Sequence, residues 1–420
     1  MMPPEEHKPP KKTILPYYLA GAVIFVLVNL LCLLSAEAFS GHYFQPALLA
    51  ITHLAILGWA TVVIFGASNQ LAPVISEAPL NSNTIPVWVL PLKLIGVLLL
   101  VLSFWRFEFG WASYTGGGFI IAAIILHAWN IYRTASRGAE HIIKDFFVVA
   151  HVWLLFTAII GLSLLVNLRF PIFREDHLHY LRIHGGLGLA GWFLQLVIGI
   201  SSRLIPMFLL SRNEDTRELR YTYLLFNAGL ILLFAEGMIF GSRLGAPLYL
   251  GAIALGLVFY IRFVSQCYRT AMRKQLDFGM KQTFLAIILL VLPLVFLVLS
   301  WLAGRESAPQ MLLAFGVAFL FGFISTIIMG QTFKTLPFIV WMHLARHDQL
   351  PELMPKDLFK EGLVRWQMLL YLLGFLVFMG GILYNFIPVL YFGAAFMSIA
   401  AILYLCHVVY VIAKLRKHVS

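Results

Sequence analysis

The most constraining feature of this sequence is a series of long apolar runs. A helix needs about 20 apolar residues to cross the hydrocarbon core of a bilayer. Twelve runs of about that length lie near 14–37, 45–68, 87–106, 109–134, 144–167, 181–208, 221–241, 246–268, 281–303, 311–341, 366–387 and 389–413. Because the bilayer core has no water to satisfy exposed backbone groups, such runs form helices. The sequence therefore predicts an all-α integral membrane protein with about twelve transmembrane helices.

Composition agrees with this class of protein. The chain is 61% hydrophobic and 12% charged, with a mean hydropathy of +0.88, whereas a soluble domain is about half apolar and a quarter charged. The formal net charge of +11 can indicate nucleic-acid binding. Here, however, the basic residues lie in short loops and not in a patch with interleaved aromatic residues. We therefore expect the lipid bilayer as a partner and no nucleic acid.

Lysine and arginine are concentrated in alternate connections, which fixes the orientation because cytoplasmic loops carry the excess. The basic set is Lys8, Lys11, Lys12, Arg133, Arg137, Lys144, Arg212, Arg217, Arg220, Arg269, Arg273, Lys274, Arg346, Lys356, Lys360, Lys414, Arg416 and Lys417. The opposite connections hold Arg106, Arg169, Arg174, Arg182, Arg243 and Arg305. Both termini are predicted to be cytoplasmic, with a disordered tail at 1–13 and a single membrane domain at 14–420.

Spans 2, 6 and 10 share one pattern without gaps. It consists of Gly followed by Trp or Phe, a second Gly eight residues later, Ser or Thr, a long polar residue and Pro. The positions are Gly58, Gly66, Ser68, Gln70 and Pro73; Gly191, Gly199, Ser201, Arg203 and Pro206; Gly322, Gly330, Thr332, Lys334 and Pro337. Spans 4 and 8 also end alike, as YRTASR (132–137) and YRTAMR (268–273). The repeat predicts three pseudo-equivalent four-helix arcs, with units near 14–140, 141–278 and 279–420.

Packing explains most of this pattern. Glycines on one face let helices approach closely, the long polar side chain can reach the cytoplasmic interface, and the proline is expected to end the span. His53, five residues before Gly58, is not repeated. A buried ionisable residue within a span is by default a functional hypothesis.

Twelve spans with a threefold repeat resemble subunit I of the heme-copper oxidases and the related nitric oxide reductases and NnrS-like proteins, over most of the chain. In that family span 2 supplies a histidine to a low-spin heme and span 6 supplies a copper-binding histidine. The resemblance implies that His53 is a heme ligand and that His184 is a candidate ligand of heme or copper. It also implies a bacterial inner membrane location. Other respiratory-complex subunits, or a cytochrome c-type electron donor, would then be partners.

The chain also departs from the family pattern. Span 10 of the family carries two histidines separated by one residue, whereas this chain reads AFGVAFLFGF there. The adjacent histidine pair expected at span 7 is missing from RYTYLLFNAGLILLFAEGM. These departures imply that a complete oxygen-reducing heme–copper site is absent, and whether the chain is an enzyme stays open.

The other candidate residues follow from depth and spacing. His184 is seven residues before its repeat glycine, so it is turned by about 200° relative to His53, and Gly186 is the true counterpart of His53. His177 would share a face with His184 if the helix extends that far. His177, His179 and His184 are a candidate copper or zinc cluster; the alternative is a wet interfacial loop.

Charged residues near the spans give further expectations. Arg182 can pair with a heme propionate, and Glu236 can relay protons or balance a metal. Lys93 is expected to extend to the cytoplasmic surface. His151 is expected to be a core histidine, and His127 and His407 are expected to be interfacial.

Three functions remain open at this point. The first is a heme-binding protein of respiratory electron transfer or nitric oxide metabolism. The second is a structural or assembly subunit of a respiratory membrane complex that has lost its cofactors. The third is a transporter, although transporter repeats are usually two and often inverted.

Overall fold

The computed structural model describes residues 9–138, 141–240, 245–302, 308–344 and 354–419, and within these ranges it is helical without any strand. Twelve helices in this part of the chain are long and apolar enough to cross a membrane. They are α1 Lys11–Leu34, α2 Pro46–Ser76, α3 Ile85–Arg106, α4 Trp111–Ala135, α5 Ile142–Arg169, α6 His177–Leu209, α7 Arg217–Ile239, α8 Ala246–Arg269, α9 Phe278–Leu302, α10 Pro309–Leu344, α11 Glu361–Leu383 and α12 Ile387–Leu415. The predicted all-α membrane architecture is confirmed.

The three repeated prolines do not end their helices, so this prediction is wrong. Pro73, Pro206 and Pro337 lie inside α2, α6 and α10. A proline within a helix removes one backbone hydrogen bond. Near a membrane surface, water and neighbouring polar groups can satisfy the freed carbonyl, and the helices therefore continue past the motif.

Contacts divide the chain into two units, which are described separately. Unit A comprises the described residues of Met1–Pro10, Ser68–Leu100 and Phe109–Gln275, and unit B those of Lys11–Ala67, Val101–Glu108 and Leu276–Ser420. Of the predicted tail at 1–13, residues 1–8 lie outside the described residues, and Lys11–Thr13 forms a 3-10 turn.

The sequence repeat has a local counterpart in helix geometry. A π-helical segment occurs in α2 at Leu54–Ala60, in α6 at Leu187–Leu194 and in α10 at Ala318–Ile324. In each helix the segment begins four residues before the first repeat glycine. The residue directly before the segment is His53 in α2, Gly186 in α6 and Val317 in α10. Segments of this kind are rare in proteins, and those that do occur often lie at functional sites.

The second repeat glycine has an equivalent packing role in all three helices. A Cβ atom at Gly66 would lie 2.5 Å from Cβ of Tyr17 on α1, and one at Gly199 would lie 2.7 Å from Cβ of Phe146 on α5. At Gly330 a Cβ would lie 3.0 Å from the carbonyl oxygen of Gly279 on α9. The glycines therefore allow each repeated helix to approach the helix that precedes it, as predicted from their small size.

Aromatic side chains fill the interior of unit B. The ring of Phe25 stacks on Trp59 with centroids 4.2 Å apart, and Trp59 meets Tyr404 edge-on at 5.3 Å. Trp59 Nε1 donates a hydrogen bond to Ser325 Oγ at 3.1 Å, and the Tyr371 hydroxyl donates to the Phe321 carbonyl oxygen at 2.9 Å. Because the polar atoms of these large side chains are paired, the cluster is a stable apolar core.

His141, just before α5, gives a pH-dependent stability prediction. Its Nδ1 accepts a hydrogen bond from the backbone N–H of Ile143 at 3.2 Å and caps the helix. Burial lowers the pKa of His141, and the Arg203 guanidinium lowers it further. Asp145 and Glu77 oppose this shift.

Only the neutral His141 ring can accept this bond. The pKa of His141 in the folded protein lies below the unfolded value of about 6.5, so the stabilisation is present above about pH 6.5 and is lost as pH falls through the folded value. We expect the thermal midpoint of the wild type to fall more on acidification than that of His141→Asn, which keeps an uncharged cap. Parallel midpoint curves for the two proteins would contradict this role.

Candidate functional site

His53 lies on α2 directly before the π-helical segment Leu54–Ala60, and its ring is oriented by the helix backbone. Nδ1 donates a hydrogen bond to the carbonyl oxygen of Leu49, one turn earlier, at 2.7 Å. With its hydrogen on Nδ1, the neutral imidazole carries its lone pair on Nε2. This is the tautomer in which a histidine can act as a metal ligand through Nε2.

Phe104 fixes the plane of the same ring. The two rings are stacked, with centroids 4.4 Å apart and an angle of 25° between their planes. The side chain of His53 is partly buried. Together, the Leu49 carbonyl and the Phe104 ring hold the imidazole in one orientation.

The candidate cluster of His177, His179 and His184 lies on a helix and not in a loop. The Asp176 side chain accepts a hydrogen bond from the backbone N–H of His179 at 2.9 Å and begins α6 at His177. The helix therefore extends far enough for His177 and His184 to share a face, as the sequence suggested, and the two rings interact electrostatically.

His179 has both ring nitrogens engaged by the protein. Nε2 donates to the Gly237 carbonyl oxygen on α7 at 2.8 Å, and Nδ1 accepts from Nη2 of Arg182 at 3.1 Å. The side chain is buried. A ring with two such bonds joins α6 to α7 and offers no nitrogen to a metal without breaking one of them.

His184 fits closely against α5. Its Nδ1 donates to the Thr157 carbonyl oxygen at 2.9 Å. A Cβ atom at Gly161 would lie 2.8 Å from Cε1 of His184. The imidazole therefore occupies the space left by a glycine, which accounts for its position through packing.

Glu236, near the end of α7, contacts the residue that precedes α8. Its Oε1 accepts a hydrogen bond from the backbone N–H of Gly245 at 2.5 Å. Because Gly245 precedes the first residue of α8, the carboxylate lies at a helix N-terminus, where negative charge is stabilising. This contact gives Glu236 a structural role, and a role as proton relay remains a prediction.

No group of three or more His, Cys, Asp and Glu side chains is placed to hold a metal ion within the described residues. The candidate residues are divided between the two units. Unit B contains His53, and unit A contains the others, namely His177, His179, Arg182, His184 and Glu236.

A second group of ionisable residues lies inside unit A, and the sequence interpretation missed it. Lys93 on α3, His127 on α4 and His151 on α5 are at most 2% exposed. The expectation that Lys93 extends to the surface is therefore wrong, and so is the interfacial position expected for His127. The same expectation for His407, in unit B, is also wrong, because that side chain is 1% exposed. The sequence signal that identifies the group is an ionisable residue at similar depth in three consecutive spans.

Comparison with known proteins gives no family. A scan against protein-family models finds no match, and a search of curated proteins finds none either.

Proposed function

We propose that this chain is a heme-binding, multi-pass membrane protein in which His53 supplies an axial ligand to the iron. The observation that carries the proposal is the hydrogen bond from Nδ1 to the Leu49 carbonyl oxygen at 2.7 Å. It selects the tautomer with the lone pair on Nε2. A hydrogen bond of this kind also orients a ligating imidazole and raises its basicity.

The donor chemistry at His53 fits a heme iron. A neutral imidazole is a common axial ligand, and the stack with Phe104 at 4.4 Å restricts rotation of the ring. A heme bound there would supply one-electron exchange, with a potential set by its ligands and by burial. His53 would hold the iron, and Leu49 and Phe104 would hold His53.

Electron transfer fits the residues better than oxygen reduction does. The position in α10 equivalent to His53 is Val317, and α7 carries no adjacent histidine pair. Copper is not part of the proposal, because both nitrogens of His179 already bond to Gly237 and Arg182. We propose a role in respiratory electron transfer or nitric oxide metabolism without a complete heme–copper site.

The proposed location is a bacterial inner membrane with both termini in the cytoplasm. Support comes from the excess of lysine and arginine in alternate connections of the sequence, since cytoplasmic loops of membrane proteins carry that excess.

Absorbance spectroscopy tests heme binding directly. The full-length protein, expressed with a sufficient heme supply and purified in detergent, is expected to show a Soret band, a pyridine hemochrome spectrum and stoichiometric iron. His53→Ala should lose most of this absorbance or change its spin state, because the iron loses an axial ligand. Added imidazole should restore part of the signal.

His343→Ala is the matched control. In the same unit, Nδ1 of His343 makes the same kind of bond, to the Ile339 carbonyl oxygen at 2.8 Å, so the variant tests the loss of an imidazole of equal local geometry. It is expected to retain the spectrum. A colourless, heme-supplied wild type, or an unchanged spectrum in His53→Ala, would contradict the proposal.

A cofactor-less scaffold is the second candidate, and the packed interior of unit B favours it. Phe25, Trp59 and Tyr404 contact one another there at centroid distances between 4.2 and 5.9 Å. A structural or assembly subunit needs only such a core. The spectrum of the wild-type protein separates the two candidates.

A further inference from the structure

Three consecutive helices of unit A carry an ionisable residue at one depth. Lys93 is eight residues after Ile85, at the start of α3, and His127 is eight residues before Ala135, at the end of α4. His151 is nine residues after Ile142, at the start of α5. Since successive spans cross in opposite directions, these three helix ends lie on the same side. At 1.5 Å per residue each side chain is attached about 12–14 Å from that side.

The three side chains form one cluster. The rings of His127 and His151 have centroids 5.2 Å apart and an angle of 38° between their planes. Lys93 interacts electrostatically with both rings. Their relative exposures are 0% for Lys93 and His127 and 2% for His151.

Neighbouring groups orient His151 and enclose the pair. Nδ1 of His151 donates to the Phe147 carbonyl oxygen at 2.7 Å. The indole of Trp192 on α6 meets the same ring edge-on at 5.1 Å. Trp192 therefore places an aromatic ring of α6 against His151, and the ionisable groups of the cluster come from α3, α4 and α5.

Packing alone does not require a lysine and two histidines at these buried positions. The end of α4 is matched in sequence by the end of α8, where Phe263 stands at the position of His127 and is itself buried. An aromatic hydrocarbon thus fills the corresponding position in the other copy. Burying two imidazoles and an amine within a span is costly, so their presence at one point needs another explanation.

We propose that Lys93, His127 and His151 form a proton-binding site within the membrane-spanning part of unit A. One proton from the aqueous phase on the nearer side binds to the cluster, which gains one positive charge, and the same proton is released there. Because the three bases interact, a proton on one disfavours a proton on the others, and the cluster titrates as a unit. This proposal is independent of heme binding at His53, which lies in unit B.

Nitrogen NMR of histidine tests the site. The full-length protein labelled with ¹⁵N-histidine is placed in lipid nanodiscs and titrated from about pH 4 to about pH 9, a window on both sides of the ordinary histidine pKa of about 6.5. We expect the signals of His127 and His151, identified by their loss in His127→Phe and His151→Phe, to change in one shared transition. His127→Phe and Lys93→Met should each displace the His151 transition by about one pH unit or more.

His407→Phe is the control for removing a buried histidine. His407 is 1% exposed, lies eight residues before the end of α12 and belongs to unit B, so its loss should leave the shared transition unchanged. If His127→Phe does not fold, Lys93→Met still tests the coupling. The proposal is overturned if neither ring changes over this range, or if His151 titrates identically in the wild type and in the folded variants.

Discussion

Gly116→Leu is expected to yield almost no folded protein, whereas Gly118→Leu should be tolerated. A Cβ atom at Gly116 would lie 2.9 Å from the carbonyl oxygen of Gly96 on α3 and 3.0 Å from the backbone nitrogen of Leu100. These neighbours are backbone atoms, which cannot move without separating the two helices. Overpacking typically costs about 1–3 kcal/mol, so Gly116→Ala should already be destabilised, and the larger side chain far more.

Gly118 provides a control in the same glycine triplet. It is exposed, and a Cβ atom there would have no heavy-atom neighbour within 4 Å in the described structure. Size-exclusion profiles of detergent-solubilised membranes report the folded, monodisperse fraction of each variant. Equal yields from the two leucine variants would show that α3 and α4 do not cross at this glycine.

Trp59→Ala is expected to destabilise the protein by about 3–5 kcal/mol, the cost of removing a large buried aromatic side chain. Trp59 is fully buried, stacks on Phe25 at 4.2 Å and donates a hydrogen bond to Ser325. Trp59→Phe keeps an aromatic ring, so its loss of stability should be smaller than that of Trp59→Ala. About 1 kcal/mol of that loss comes from the hydrogen bond, because Ser325 Oγ no longer has its indole donor.

Trp301→Ala is the matched control, because Trp301 in the same unit is 74% exposed. Thermal unfolding followed by tryptophan fluorescence in detergent compares the three variants. A midpoint for Trp59→Ala close to that of Trp301→Ala would mean that the aromatic cluster contributes little to stability.

Hydropathy was enough to predict the helices but not where some of them end. The twelve spans follow from the cost of burying unsatisfied backbone groups in lipid, and this cost depends on long stretches of residues. A helix end depends on single residues. Pro73, Pro206 and Pro337 were expected to end helices, yet α2, α6 and α10 continue past them.

The candidate site shows a similar limit. The spacing of His53 and His184 from their glycines distinguishes the two residues, because rotation along a helix is a local property. The contact of His179 with Gly237 joins residues 58 positions apart, and no local pattern contains it. The position of Lys93 near the cytoplasmic end of its span predicts a side chain that extends to the surface. A helix that is apolar all round does not indicate which face is turned inward, and Lys93 is buried.

The π-helical segments give the repeated helices a property that a continuous α-helix lacks. A wide turn accommodates one additional residue, and one residue corresponds to about 100° of rotation in an α-helix. Deleting one residue from Leu54–Ala60 would therefore swing the preceding part of α2, including His53, by about that angle. The glycine at 66 and its contact with Tyr17 would keep their register. One half of each such helix can thus be re-aimed by a single-residue insertion or deletion while the other half keeps its contacts, so the side chain that precedes the segment can point differently in the three copies.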